Sequence, residues 1–211
     1  MSLTRRSLLI AFPLALPLAT AAQAQSQGPT APIAALNTAL LAAMKSGRTT
    51  PFATRAERFR PAAERAFDLP AILAASVGPR FASFPDAAKR DLLEAFTTFT
   101  VATWVSNFDT DNGETFELTP QTRTTGPTSS GSDEIVSTRI VPKSGDPTRL
   151  DYVMRNTQAG WRAIDILLNG TISRVAVQRS DFRGLLTAGD PAPLLASLRD
   201  RAERLAAGSK P

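Results

Sequence analysis

Two ionisable side chains sit inside apolar, strand-like runs, where their chemistry would be unusual. Asp165 interrupts Trp161–Leu168, and Tyr152, the only tyrosine, lies between Leu150 and Met154 on an alternating segment. A carboxyl or phenol held in a hydrophobic cavity is the equipment of isomerase- or dehydratase-type acid–base chemistry. By alternation Asp165 shares a face with Trp161 and Ala163, where a buried carboxylate needs an arginine or several hydrogen-bond donors. A structural ion pair meets that need, and contact with a head group or a docking partner is the other use. Arg179 and Asp181, at the start of an expected helix, read as surface or capping residues. The chain has no histidine and no cysteine. The usual general base, zinc ligand, thiol nucleophile and disulfide are therefore missing. No second carboxylate occupies a matching apolar strand, so no catalytic residue, metal ligand or cofactor is assigned.

The elements that position these residues begin after a leader. Arg5 and Arg6 precede an apolar run from Leu8 to Ala19 that ends in Ala22-Gln23-Ala24, the order of a secretory signal peptide over residues 1–24. About 12 apolar residues broken by Pro13 and Pro17 fall short of the roughly 20 that span a bilayer. A cleaved leader is thus expected over a permanent anchor, and the paired arginines leave ordinary and twin-arginine export both open. No cysteine is available for lipidation after the cleavage site. The whole chain carries +5, and loss of Arg5 and Arg6 with the leader leaves +3. The excess is mild and dispersed, unlike the basic stripe of a nucleic-acid binder, so no nucleic acid is expected as a partner.

Residues 25–211 suit a single domain with its own core. A helical part spans 31–108. Ile33, Leu36, Leu40, Leu41 and Met44 recur at helical spacing before Gly47. Short helices follow from Pro51 to Phe81, punctuated by Pro61, Pro70 and Gly78. A long helix starts near Ser83 and Asp86 in the manner of a capping box and runs to about Asn107, apolar on more than one face. The period then changes from helical to alternating, giving a sheet part over 114–169. Strands are expected at Phe116–Leu118, Glu134–Val141, Arg149–Arg155 and Trp161–Leu168, with a loop from Thr119 to Ser132. Short turns join the last three as antiparallel hairpins. Helices return over 171–207, broken at Gly189 and restarted at Asp190-Pro191. The expected class is α+β: N- and C-terminal helices packed on one curved antiparallel sheet of about four strands.

The order of several segments resembles a known family. Ile33-Ala34-Ala35-Leu36-Asn37, Met44-Lys45-Ser46-Gly47, Arg55 with Phe59 and Pro61, Phe67-Asp68, Leu92 to Phe96, and Gly160-Trp161-Arg162 through Asp165 to Asn169-Gly170-Thr171-Ile172-Ser173 follow one another as in the toluene-tolerance, MlaC-type family. Gln178-Arg179-Ser180-Asp181-Phe182 and the helix after Gly189 extend the likeness over residues 25–211, and the ending is most similar to the HpnM-like, hopanoid-associated branch. The resemblance implies a soluble periplasmic carrier that takes a lipid, a phospholipid or a hopanoid, between membrane-bound components of an ABC-type transport system. It implies a hydrophobic cavity between sheet and helices, and no motif fixes its wall. Alternation nominates Phe96, Phe99 and Trp104 from the long helix, Leu150, Tyr152 and Met154 from the middle strand, and Ile164, Ile166 and Leu168 from the next. Each serves equally well as ordinary core. A filled interaction module and, more remotely, a cavity enzyme using Asp165 and Tyr152 are the competing readings.

Overall fold

The computed structural model describes residues 28–128, 131–186 and 189–208. The expected leader, residues 1–24, lies outside them. Helix α1 (Thr30–Ser46) buries Ile33, Leu36, Leu40 and Met44 and ends at Gly47, whose φ of 62° lies in the left-handed region that glycine tolerates. Helix α2 (Phe52–Ala66) continues through Pro61 rather than stopping there. Pro61 removes one backbone donor, but burial of Phe59, Ala62 and Ala63 on either side carries the helix across it. Helix α3 (Leu69–Val77) is capped by Asp68, whose carboxylate accepts from the Ala71 N–H at 3.1 Å.

After a short 3-10 turn at Pro79–Ser83 comes the long helix α4 (Asp86–Asn107). Ser83 is not its cap: the Ser83 hydroxyl donates backward to the Arg80 carbonyl at 2.8 Å. The helix opens instead on Pro85, with Asp86 in the first turn favouring the positive end of the helix dipole. Leu92, Phe96, Val101 and Val105 are all buried, and α4 packs against α1, α2, α3 and the last helix.

The sheet is antiparallel, open, and larger than expected. Among the described residues it has six strands: β1 (Thr115–Leu118), β2 (Arg123–Thr128), β3 (Gly131–Val141), β4 (Thr148–Thr157), β5 (Gly160–Leu168) and β6 (Ile172–Ser173). β3, β4 and β5 pair in sequence, and β1 and β2 share the outer edge of β3, at Thr138–Val141 and Gly131–Ile135. The four-strand expectation therefore misses β2 and β6. Arg123–Thr128 is polar, rich in threonine and without apolar alternation, and its membership rests on backbone pairing with β3. β6 has only two residues, bound to Leu167 and Leu168. The edge of β5 at Ala163 is covered by the α2–α3 link, where the Asp68 N–H donates to the Ala163 carbonyl at 2.9 Å.

Helix α5 (Arg174–Arg183), a short 3-10 turn (Gly184–Leu186) and α6 (Ala192–Ala206) complete the chain. Val136, Tyr152, Met154 and Ala163 project from the sheet into one core with the residues of α1–α4 and with Phe182, Leu194 and Leu198. The other face of the sheet is ionic. Asp151, fully buried, takes two hydrogen bonds from Arg149 and one from Arg123, and Arg155 grips Asp133 through two bonds of 2.8 and 2.7 Å. Among the described residues no helix is long and apolar enough to cross a membrane.

Candidate functional site

The helices do not fill the whole inner face. Register fixes which strand residues share that face: Val136, Thr138 and Ile140 oppose Tyr152, Leu150 and Thr148, and Tyr152 and Leu150 in turn oppose Ile166 and Leu168. At the Val136–Tyr152–Met154 end the face is closed by core. At the Ile140–Thr148–Leu168 end, α4 stands away from the strands and leaves a partly open cavity of about 310 Å³. That is within the range of ligand pockets.

Aromatic and aliphatic groups dominate its wall. Phe96, Phe99 and Trp104 come from α4, Leu150 from β4, Ile166 and Leu168 from β5, and Phe67, Leu69 and Ile72 from the start of α3 and its approach. Trp104 organises this wall, stacked on Phe108 at 5.7 Å between ring centroids and tilted against Phe67 at 5.9 Å. Phe67 continues to Tyr152 at 6.3 Å, which links the cavity to the closed core.

Polar groups enter at defined places. Thr100, Thr103 and Asn107 lie at helical spacing along α4, opposite Thr148, Arg174 and Gln178. The Thr103 hydroxyl is used within the helix, donating to Phe99 at 2.8 Å. The Thr100 hydroxyl is buried and has no hydrogen-bond partner among the described residues. Gln178 accepts from Ser76 at 3.1 Å, and Arg174 is exposed at the rim.

Asp165 also lines the cavity, but its oxygens are committed. One accepts the backbone N–H groups of Ile166 at 2.7 Å and Val175 at 3.1 Å, and the other accepts the Ser173 hydroxyl at 2.5 Å. The required donors are thus backbone and serine groups around the start of α5, where the helix dipole also favours a negative charge. No arginine pairs with it among the described residues.

Of the nine residues nominated from the sequence, the structure brings Phe96, Phe99, Trp104, Leu150, Ile166 and Leu168 together on the cavity wall. Tyr152 and Met154 point to the same sheet face, yet they are 1% and 0% exposed and belong to the closed core. Burial pushes the Tyr152 hydroxyl up from its usual range, with a hydrogen bond to Thr138 partly opposing. Ile164 is outside the wall. The register shifts between Val153 and Met154, so Val153 pairs with Asp165 and Met154 with Ala163, leaving Ile164 as the extra residue of a bulge. The bulge breaks the alternation on which Ile164 was grouped with Ile166 and Leu168. Sequence reasoning missed Phe67, Leu69, Ile72, Phe108 and Val175, which come from elements whose approach to the sheet leaves no mark in local periodicity.

A second hollow, about 440 Å³, lies between α2, α4 and α6. It is larger, but besides Phe52, Val101 and several alanines its lining includes the charged side chains of Glu57, Arg60, Glu94, Arg199 and Glu203, and it has no aromatic cluster. Filling it with an apolar group would strip water from those charges. The aromatic cavity is the better candidate.

Comparison with known proteins agrees with this architecture. The chain superposes on the crystal structure of a phospholipid-binding protein from Ralstonia solanacearum, determined in complex with a phospholipid, with a TM-score of 0.71 at 17% identity, covering 85% of this chain and 99% of that one. A search of curated proteins gives no match. The profile of the MlaC protein family matches residues 34–200, well over half of the sequence, and the chain belongs to that family.

Proposed function

We propose that this protein is a periplasmic carrier that holds the apolar part of a lipid in the cavity between α4 and the sheet. The carrying observation is that wall: three large aromatic residues of α4 face aliphatic side chains of β4 and β5 across unfilled space. Exposing an acyl chain to water costs about 0.8 kcal/mol per methylene, or on the order of 13 kcal/mol for sixteen carbons. A lipid therefore needs such a slot to cross an aqueous gap. The Ralstonia solanacearum relative of the same fold, with its bound phospholipid, supports the reading. The partners in this account are the membrane-bound components of an ABC-type lipid transporter, and the cargo is a phospholipid or, if the chain belongs to the HpnM-like branch, a hopanoid.

Binding is favoured over catalysis. Asp165 spends its oxygens on holding α5, and Tyr152 is shut away from the cavity, so the two candidate acid–base groups do not share a reaction space. Mass spectrometry of lipid extracted from gently purified protein tests the proposal. A stoichiometric lipid species is the expected result, whereas protein recovered free of lipid and unable to take up lipid from vesicles would overturn it.

A further inference from the structure

Where α5 meets the apolar cavity, it places Arg174 and Gln178 four residues apart, as neighbours on the wall. We propose that these two side chains read the head group of the cargo, a lipid-borne phosphate ester, and that Ser76 is the positioning residue that aims the Gln178 amide. This rests on the carrier reading and adds to it the residues that choose among lipids.

Gln178 is oriented from behind. Ser76 lies in α3 and is 0% exposed, and its hydroxyl donates to Gln178 Oε1 at 3.1 Å. A serine inside a helix commonly turns its hydroxyl to a carbonyl of the preceding turn. Ser76 instead reaches across to α5. With Oε1 engaged there, the N–H donors of the amide are turned away from Ser76. Nε2 has no acceptor among the described residues and, unlike the buried Thr100 hydroxyl, it retains solvent access on a residue that lines the cavity.

Arg174 supplies the charge. It is exposed at the cavity rim and forms no salt bridge or hydrogen bond among the described residues. Asp165, the other ionisable group of the wall, has its oxygens taken by Ile166, Val175 and Ser173 and does not claim the guanidinium. Guanidinium donors bind phosphate oxygens through charge-assisted, often paired hydrogen bonds, and a neighbouring amide adds a neutral donor. A cargo that ended here in methyl or ring carbons would strip water from both groups and give no acceptor in return. The cavity therefore discriminates by head group as well as by apolar fit. A purely structural role, joining α3 to α5, accounts for Oε1 of Gln178 and for neither its free Nε2 nor Arg174.

The test offers purified protein equimolar dioleoyl phosphatidic acid and dioleoylglycerol from neutral detergent micelles, and mass spectrometry gives the ratio taken up. The two lipids differ only in the phosphate. Wild type should favour phosphatidic acid several-fold. Arg174→Ala, at an exposed position, should bring the ratio close to one. Gln178→Glu keeps an acceptor for Ser76 but replaces the donor with a carboxylate, so the ratio should fall to one or below while Tm stays near that of wild type. Ser76→Ala, which frees the amide to rotate, should narrow the ratio less than either. Equal uptake of the two lipids by wild type, or a preference undiminished in both Arg174→Ala and Gln178→Glu, overturns the head-group assignment and leaves the carrier reading standing. Uptake of neither lipid overturns both. Low-millimolar inorganic phosphate at matched ionic strength should not displace phosphatidic acid, and displacement would assign the pair to the free ion instead of a lipid.

Discussion

The carboxylate of Asp165 accepts the backbone N–H of Val175 at 3.1 Å, joining strand β5 to the first turn of α5 at the wall of the cavity. The same carboxylate takes the hydroxyl of Ser173, which in turn accepts the Ala176 N–H at 2.9 Å as the helix cap. One acidic side chain thus fixes where α5 leaves the sheet.

Asp165→Asn should loosen that junction. The amide keeps one acceptor and presents donors toward backbone N–H groups, so a cost of about 1.5–3 kcal/mol is expected, the range for hydrogen bonds to charged groups. Chemical denaturation measures the loss, and faster amide exchange at Val175 and Ala176 locates it. Unchanged exchange there would mean that α5 is held by its packing on α3 instead.

A pH effect follows from the ionic face of the sheet. Burial alone would raise the pKa of Asp151, but hydrogen bonds from Arg149 and Ser137 and the charges of Arg149 and Arg123 outweigh it and hold the carboxyl below its ordinary value of 3.8. Its stabilising contribution is therefore complete above that value and is lost as pH falls below it, through the lower folded-state pKa. Asp151→Asn should be less stable than wild type at neutral pH, and the gap should close in acid. Parallel denaturation curves at pH 6 and over a falling series of pH values below 3.8 check this, with the gap expected to narrow along the series. A gap that persists along the series would assign the loss to packing.

Met154 tests where the core ends. It is 0% exposed beside Tyr152 and off the cavity wall, so Met154→Trp overpacks a closed region and should cost roughly 1–3 kcal/mol. A variant with the stability of wild type would show that the hollow extends farther along β4 than the geometry indicates.

The sequence was informative where periodicity reports burial. The helical stripe of α1, the long apolar α4 and the alternation of Leu150, Tyr152 and Met154 all stand in the structure on the faces they imply. It was silent where membership depends on backbone pairing alone, as for the polar β2, and where a one-residue bulge resets alternation, as at Ile164. The extent of the cavity was the least legible feature. Leu150 and Met154 are equivalent by sequence, and only the distance at which α4 passes over the strand makes one a wall and the other core.

That pair provides the most direct test of the carrier account. Leu150 is half-buried and faces the 310 Å³ cavity, so Leu150→Trp should place its ring in space that lipid requires while leaving close-packed neighbours undisturbed. Lipid recovered per mole of purified protein should fall several-fold relative to wild type, with Tm nearly unchanged. A stable Leu150→Trp protein that retains its full complement of lipid would contradict the claim that cargo travels between α4 and the sheet.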